Sequence, residues 1–266
     1  MYILQYYQFG NIKENQLEDV REWFYQKCLE YQLKGLILIA KEGINLSVSG
    51  SKFLLDEFLK ECYRAPFPLQ PETRTRFMPS DIPPYKKLIV KIKEQIIPFP
   101  VEIDHKLNEG HFLKPEEFHQ LMQEGKAVPV DTRNYYEWEV GTFKNALAFP
   151  IRKFRELPSK MDWFKEQYEK NKDKVIVTFC TGGIRCEKVV PFLVSLGFKN
   201  VYQIEGGILD YFAKYPDGFW EGECFVFDER YSILPNFQRG KVQPCVLCGQ
   251  PVINHRCVRC GNVQIA

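Results

Sequence analysis

The chain has 266 residues, 45% hydrophobic and 15% aromatic, enough for a sizeable core and more than one average domain needs. Its 36 basic and 34 acidic residues leave a formal charge of +2, so no global field advertises a nucleic-acid partner and no DNA partner is expected. No apolar run approaches the roughly 18 residues that cross a membrane, and no basic leader with a cleavage site opens the chain. Nine cysteines, an odd and unevenly placed set, fit metal or catalytic use better than a disulfide framework, so a cytoplasmic protein with reduced thiols is expected.

Residues 2–9 alternate loosely and read as a strand. Asn15 stands where a cap would precede a helix carrying Leu17, Val20, Phe24, Cys28 and Tyr31 at helical spacing. Residues 36–40 form a short apolar strand and Glu42-Gly43 a turn. Ile44, Leu46 and Val48 then alternate with Asn45, Ser47 and Ser49 as the hairpin partner. Ser51 precedes a second amphipathic helix with Phe53, Leu54, Phe58, Leu59 and Cys62, and strands follow at 73–78 and 88–97. This strand–helix–strand–strand–helix–strand order predicts a ferredoxin-like (acylphosphatase-like) α+β domain over residues 1–97.

Within that domain Arg74, Arg76, Lys86, Lys87, Lys91 and Lys93 stand against Asp81 alone, a local basic excess able to follow a phosphate backbone. A solvated strand face is the competing reading. Tyr6, Tyr7 and Phe9 are candidates for stacking bases, although aromatics at strand spacing more often build a core.

Residues 98–111, with two prolines and no periodicity, read as a linker. A helix starts near Pro115 with Phe118, Leu121 and Met122 inward, and strands at 127–131, 146–149 and 201–204 alternate with helices at 162–171 and 187–196. Pro191 falls about a turn inside the last helix, which predicts a kink or a late start. Alternating strands and helices over 112–215 mean an α/β domain with a mostly parallel sheet and a site at the strands' carboxyl ends.

That end is occupied by Cys180-Thr-Gly-Gly-Ile-Arg-Cys186, directly after the buried-strand run Val175-Ile-Val-Thr-Phe179. A thiol in a tight loop feeding a helix N-terminus lies among inward-pointing N–H groups and near the Arg185 cation. Both favour the thiolate, the reactive form. The alternative is a buried structural cysteine before a glycine turn, but such a cysteine requires neither Gly182-Gly183 nor Arg185. Thr181, Gly182, Gly183 and Ile184 form the candidate loop, and Cys180, Arg185 and Cys186 are the candidate catalytic residues. Cys186 is either a resolving thiol for a persulfide or sulfenate on Cys180, or a buried residue of the first helical turn. Arg185 tunes the thiolate or holds an anion, whereas Asp131 and Arg133 pin the loop. The linker-region His105, His111 and His119 show no partner by spacing.

Residues 216–266 form a C-terminal extension in which Cys245-Val-Leu-Cys248 and Cys257-Val-Arg-Cys260 make two knuckles eight residues apart. Four thiolates so spaced satisfy tetrahedral Zn2+, which would supply folding energy to a ribbon too small for its own core. Four unliganded thiols, or a redox pair, are the alternative. His255 and Cys224 are spare candidates rather than expected ligands.

Over residues 110–215 the chain resembles a rhodanese domain, on Val130-Asp-Thr-Arg133, Tyr136-Glu-Trp138 leading through Gly141 to Asn145-Ala146, the Cys180 loop, and Tyr202-Gln-Ile-Glu-Gly-Gly207. The whole chain is similar to the bacterial tRNA uridine-34 hydroxylases. That likeness adds Ala40-Lys-Glu-Gly-Ile-Asn45, the continuation of the loop through Glu187-Lys188, and Gly222-Glu-Cys-Phe-Val-Phe-Asp228. It departs where family members often carry a small pair such as Gly-Thr and this chain has Leu46-Ser47. The resemblance implies oxygen-dependent conversion of the wobble uridine in the tRNA anticodon to 5-hydroxyuridine, with O2 as co-substrate and Cys180 required.

Phosphatases of related fold carry arginine six residues after the cysteine in a longer loop. Here Arg185 is the fifth residue, so phosphatase chemistry is disfavoured. A sulfurtransferase carrying persulfide sulfur on Cys180 is the second enzymatic expectation, and a non-enzymatic RNA or protein adaptor the third. No flavin or nicotinamide fingerprint and no His-His-carboxylate spacing is present, so no organic cofactor is expected.

Overall fold

The computed structural model describes residues 1–70, 75–253 and 255–263. It divides into two compact units, Met1–Pro98 and Phe99–Ala266. Among the described residues no helix is long and apolar enough to cross a membrane.

The first unit runs β1 (Tyr2–Phe9), α1 (Leu17–Glu30), β2 (Lys34–Ala40), β3 (Gly43–Gly50), α2 (Lys52–Cys62), β4 (Arg76–Pro79) and β5 (Leu88–Ile92). Its sheet order, β4-β1-β3-β2-β5, is the ferredoxin-like 4-1-3-2 arrangement extended by a fifth strand parallel to β2. Alternation buries one face: Leu4, Tyr6, Ile37, Ile39, Leu46 and Val48 pack under Val20 and Phe24 of α1 and Leu55 and Phe58 of α2. Tyr6 and Tyr7 are buried, so the base-stacking reading fails for them. The Tyr6 hydroxyl instead accepts the Gln70 amide at 3.0 Å.

Two local expectations are corrected. Asn15 does not cap α1, because a 3-10 turn over Glu14–Gln16 moves the cap to Gln16, whose side chain makes no cap bond. Phe53 does not join the core. It lies 70% exposed at the second helical position of α2, whose inward face is Leu55, Phe58, Leu59 and Cys62. Ser51 caps as expected, its hydroxyl accepting the Leu54 amide at 3.2 Å.

In the second unit β6 (Phe112–Leu113), α3 (Pro115–Gln123), β7 (Ala127–Asp131), α4 (Tyr135–Trp138), β8 (Gly141–Phe143), β9 (Leu147–Ala148), α5 (Met161–Lys170), β10 (Val175–Phe179), α6 (Cys186–Ser195), β11 (Val201–Ile204) and α7 (Gly207–Lys214) follow in order. Strands β6-β11-β10-β7-β9 form an all-parallel sheet with β10 at its centre. Val175-Ile-Val-Thr-Phe179 suits that place, being covered on both faces. Helix α6 begins at Cys186 and continues through Pro191, so the late start predicted from that proline does not occur.

In the segment expected to be a linker, Phe99 packs on Phe154 and Phe192, and buried Asn108 donates to Glu187 of α6 at 3.0 Å. The extension also joins this unit. Its β12 (Trp220–Gly222) pairs with β8, while β13 (Cys224–Phe225) and β14 (Ser232–Ile233) pair with each other. A three-stranded sheet of β15 (Gln243–Pro244), β16 (Pro251–Ile253) and β17 (Arg256–Cys257) carries the knuckles.

Candidate functional site

Parallel strands end together, so the chain leaving β10 emerges at the carboxyl edge of the sheet and must turn at once into α6. Residues 180–186 make that turn. Gly183 adopts φ +95°, and its amide donates to the Cys180 Sγ at 3.1 Å. From behind, α7 closes the turn: the Ile208 and Leu209 amides donate to the carbonyls of Cys180 and Thr181 at 3.0 and 3.1 Å. This approach requires glycine at 207, where φ is +67° and a Cβ would lie 2.3 Å from the Cys180 carbonyl oxygen.

Cys180 is 1% exposed. Burial is the largest influence on its sulfur and opposes ionisation. The neighbouring Cys186 thiol, the Arg185 charge and the Arg185 and Cys186 amides together outweigh burial and hold the thiol down at about 5. The Cys186 thiol moves the opposite way, raised first by burial and then by the Cys180 anion beside it. The Thr132 hydroxyl lies 3.7 Å from its sulfur, while the Thr178 hydroxyl donates to the Tyr202 carbonyl at 3.1 Å. The Thr181 hydroxyl is buried in the loop without a partner.

Arg185 is not free to close on an anion with its full fork. Both guanidinium ends donate to Glu137 at 2.7 Å, one to each carboxylate oxygen, in a pair with both side chains buried. Glu137 also accepts the Asn134 amide at 3.1 Å. Sequence reasoning quoted Glu137 only inside a motif. The available signal was Asn134-x-x-Glu137 opening a helix, a spacing that turns a carboxylate back over its own first turn.

Asp131 and Arg133, expected to pin the loop, bond to each other and to Gly141 and Thr142 of β8. Arg133 donates to Asp131 at 2.7–3.2 Å and to the Gly141 carbonyl at 2.6 Å, all fully buried. The Thr132 hydroxyl donates to the Phe179 carbonyl at 2.9 Å, which fixes the strand end that carries Cys180. Of the linker-region histidines, His119 lies flat on Tyr215 with ring centroids 3.9 Å apart, and His111 bonds the Val201 carbonyl at 2.7 Å. Cys224 is buried, which pushes its thiol up to about 12.

The basic residues do not form one strip. Arg74 lies outside the described residues. Arg76 is on β4 and Lys91 on β5, the two opposite edges of the first unit's sheet, about 19 Å apart at ordinary strand spacing. Lys86, Lys87, Lys91 and Lys93 remain together on and around β5, all exposed.

The four knuckle cysteines converge, their sulfurs all within 4.8 Å of one another, without His255 or Cys224. Separations of 3.4 Å (Cys248–Cys257), 3.7 Å (Cys245–Cys260) and 3.8 Å (Cys248–Cys260) match the edge of about 3.8 Å that tetrahedral sulfur ligands at about 2.3 Å require. The Arg259 and Cys260 amides point at the Cys257 sulfur at 3.4 and 3.5 Å, and Gly249 and Gly261 take matching positive φ of 67° and 70°. This cluster could hold a metal ion. One knuckle is tied to the loop's surroundings, since the Tyr135 hydroxyl of α4 donates to the Val258 carbonyl.

Family models match both halves of the chain: the UPF0176 acylphosphatase like domain at residues 1–96 and the rhodanese-like domain at 114–214. Among curated proteins, the tRNA uridine(34) hydroxylase of Legionella pneumophila is 39% identical over 243 residues, covering 89% of this chain and 92% of that one. The proteins of that name from Acinetobacter baylyi and Brucella ovis are 36% and 37% identical, over 92% and 89% of this chain and 76% and 77% of theirs.

Proposed function

The chain belongs to the tRNA uridine(34) hydroxylase family, and from that membership we propose that it converts the wobble uridine of certain tRNAs to 5-hydroxyuridine, with dioxygen as co-substrate and the Cys180 thiolate as the reagent. One observation carries this reading: the likeness runs over about nine-tenths of the chain and is not confined to the rhodanese-like domain. The Cys180 loop by itself would equally serve a sulfurtransferase, and the match outside that domain favours hydroxylation.

In this reading the loop amides and the Arg185 charge keep the sulfur anionic, while Glu137 fixes where that charge sits. The Thr181 hydroxyl is available to a bound substrate. The lysines around β5 give the anticodon arm an electrostatic footing, with Arg76 at the far edge playing no part in the same contact. Cys245, Cys248, Cys257 and Cys260 hold Zn2+ in a structural role, with no coordination position left over for chemistry.

The test is mass spectrometry of tRNA nucleosides from a deletion strain complemented with the wild type or with Cys180→Ala. Loss of 5-hydroxyuridine derivatives in the variant, with thiolated uridines intact, is the expected result. Loss of thiolated uridine instead would establish sulfur transfer.

A further inference from the structure

Inserting one oxygen atom of O2 into a C–H bond and releasing the other as water consumes two electrons beyond those of the substrate. The loop holds a matched pair of groups for that purpose. Cys180 and Cys186 are both 1% exposed, and Gly183 joins them, its amide donating to the Cys180 sulfur at 3.1 Å and its carbonyl accepting the Cys186 amide at 3.0 Å. They lie at the two ends of the same turn, which contains Gly182-Gly183, so the backbone between them tolerates the adjustment that drawing two sulfurs to about 2.05 Å requires. Arg185, the other residue aimed at this sulfur, cannot be oxidised, and the buried Cys224 thiol bonds to the Phe225 carbonyl instead.

We propose that Cys180 and Cys186 are the two-electron donor of the reaction, each hydroxylation ending in a Cys180–Cys186 disulfide that an external thiol must reduce before the next turnover. The inference rests on the hydroxylase reading and deepens it. The balance closes. Uridine, O2, the Cys180 thiolate, the Cys186 thiol and one proton give 5-hydroxyuridine, water and the disulfide. The O–O bond breaks; one oxygen enters the C5–H bond, and the other takes the Cys186 proton and the added proton. The two sulfurs are oxidised by two electrons and the base by two, and dioxygen takes all four.

The polar groups around Cys186 fit its turn as attacking thiol. It is held protonated by burial and by the neighbouring anion. Once Cys180 is bonded to oxygen that anion is gone, and Cys186 ionises with the Thr132 hydroxyl 3.7 Å from its sulfur.

The test uses the whole chain, reduced, freed of reductant, and mixed in air with an unmodified tRNA that carries uridine at the wobble position. The expected result is a plateau at about one 5-hydroxyuridine per chain. It should be matched by loss of alkylation at both cysteines and by a peptide joining 180 to 186, and dithiothreitol should restart the reaction. In Cys186→Ser the second oxygen has only Cys180 to go to, so a sulfenic acid that dimedone traps should accumulate there. Product well beyond one per chain without added thiol, with both cysteines still open to alkylation, overturns the inference and leaves the hydroxylase reading intact. No 5-hydroxyuridine with or without reductant overturns both.

Discussion

At position 180 several weak donors outweigh one large cost. Burial alone would make this thiol less acidic, as it does at Cys28 in the core of the first unit, pushed up to about 12. The difference is the turn: three main-chain amides and a guanidinium converge on Cys180, whereas desolvation is the only influence resolved at Cys28. Cys180 should therefore alkylate with iodoacetamide through a pH transition near 5, while Cys28 stays unreactive in the folded chain. Below the transition the sulfur is protonated and its reactivity falls. A measured midpoint near the ordinary thiol value of about 8.5 would remove the amide cradle from the account. Glu137 is the second residue whose environment fixes its effect. Removing it as Glu137→Ala leaves the Arg185 guanidinium buried and unpaired, a change that costs about 3–5 kcal/mol. Denaturant unfolding should show a loss of that size. A loss below about 1 kcal/mol would class the pair with exposed ion pairs.

Among the elements, α7 decides whether the loop keeps its shape. Its first amides hold the Cys180 and Thr181 carbonyls, and the only residue that permits the approach is Gly207. In Gly207→Ala the left-handed backbone adds about 1–2 kcal/mol of strain, and the new methyl group meets a carbonyl oxygen at 2.3 Å, so helix or loop must move. The expected outcome is a lower melting temperature together with an upward shift of the Cys180 alkylation midpoint. A stable variant with an unchanged midpoint would show that α7 does not shape the turn. This element was half legible in the sequence. Gly206-Gly207 marked the end of β11, but nothing local says that the eight residues from Gly207 form a helix whose first amides cap carbonyls 28 positions earlier. Glu137 and Arg185, 48 residues apart, escaped for the same reason. What sequence reasoning reached was local: a β-branched strand, a thiol, two glycines and an arginine in one run. The basic stretch erred in the opposite sense. Arg76 and Lys91 are near neighbours in sequence, but a sheet that places β4 and β5 on opposite edges parts them.

Across the whole molecule, the sequence order of β1 to β5 predicts the first unit's sheet, and the strand–helix alternation after residue 112 predicts the parallel one. The extension was legible only at its cysteines, because metal knuckles are written in four-residue words, whereas its packing is not. The motif Gly222-Glu-Cys-Phe-Val-Phe-Asp228 proves to fasten this segment. The Ser232 hydroxyl donates to Glu223 at 2.6 Å, and Asp228 holds the buried Arg230 at 2.7 Å. Beyond that motif the knuckle sheet has few buried side chains apart from Pro251, Cys245 and Cys257, so packing contributes little to its stability. The purified chain should therefore contain about one zinc ion, with the tail's order depending on it. Chelation should expose four further thiols to a disulfide reagent and release Val258 from Tyr135, leaving the parallel sheet folded. Metal analysis paired with a thiol count before and after chelator measures both effects. If the protein carries no zinc and its four tail thiols titrate at once, the tail must owe its shape to Tyr135 and its neighbours, and Tyr135→Phe should then disorder it.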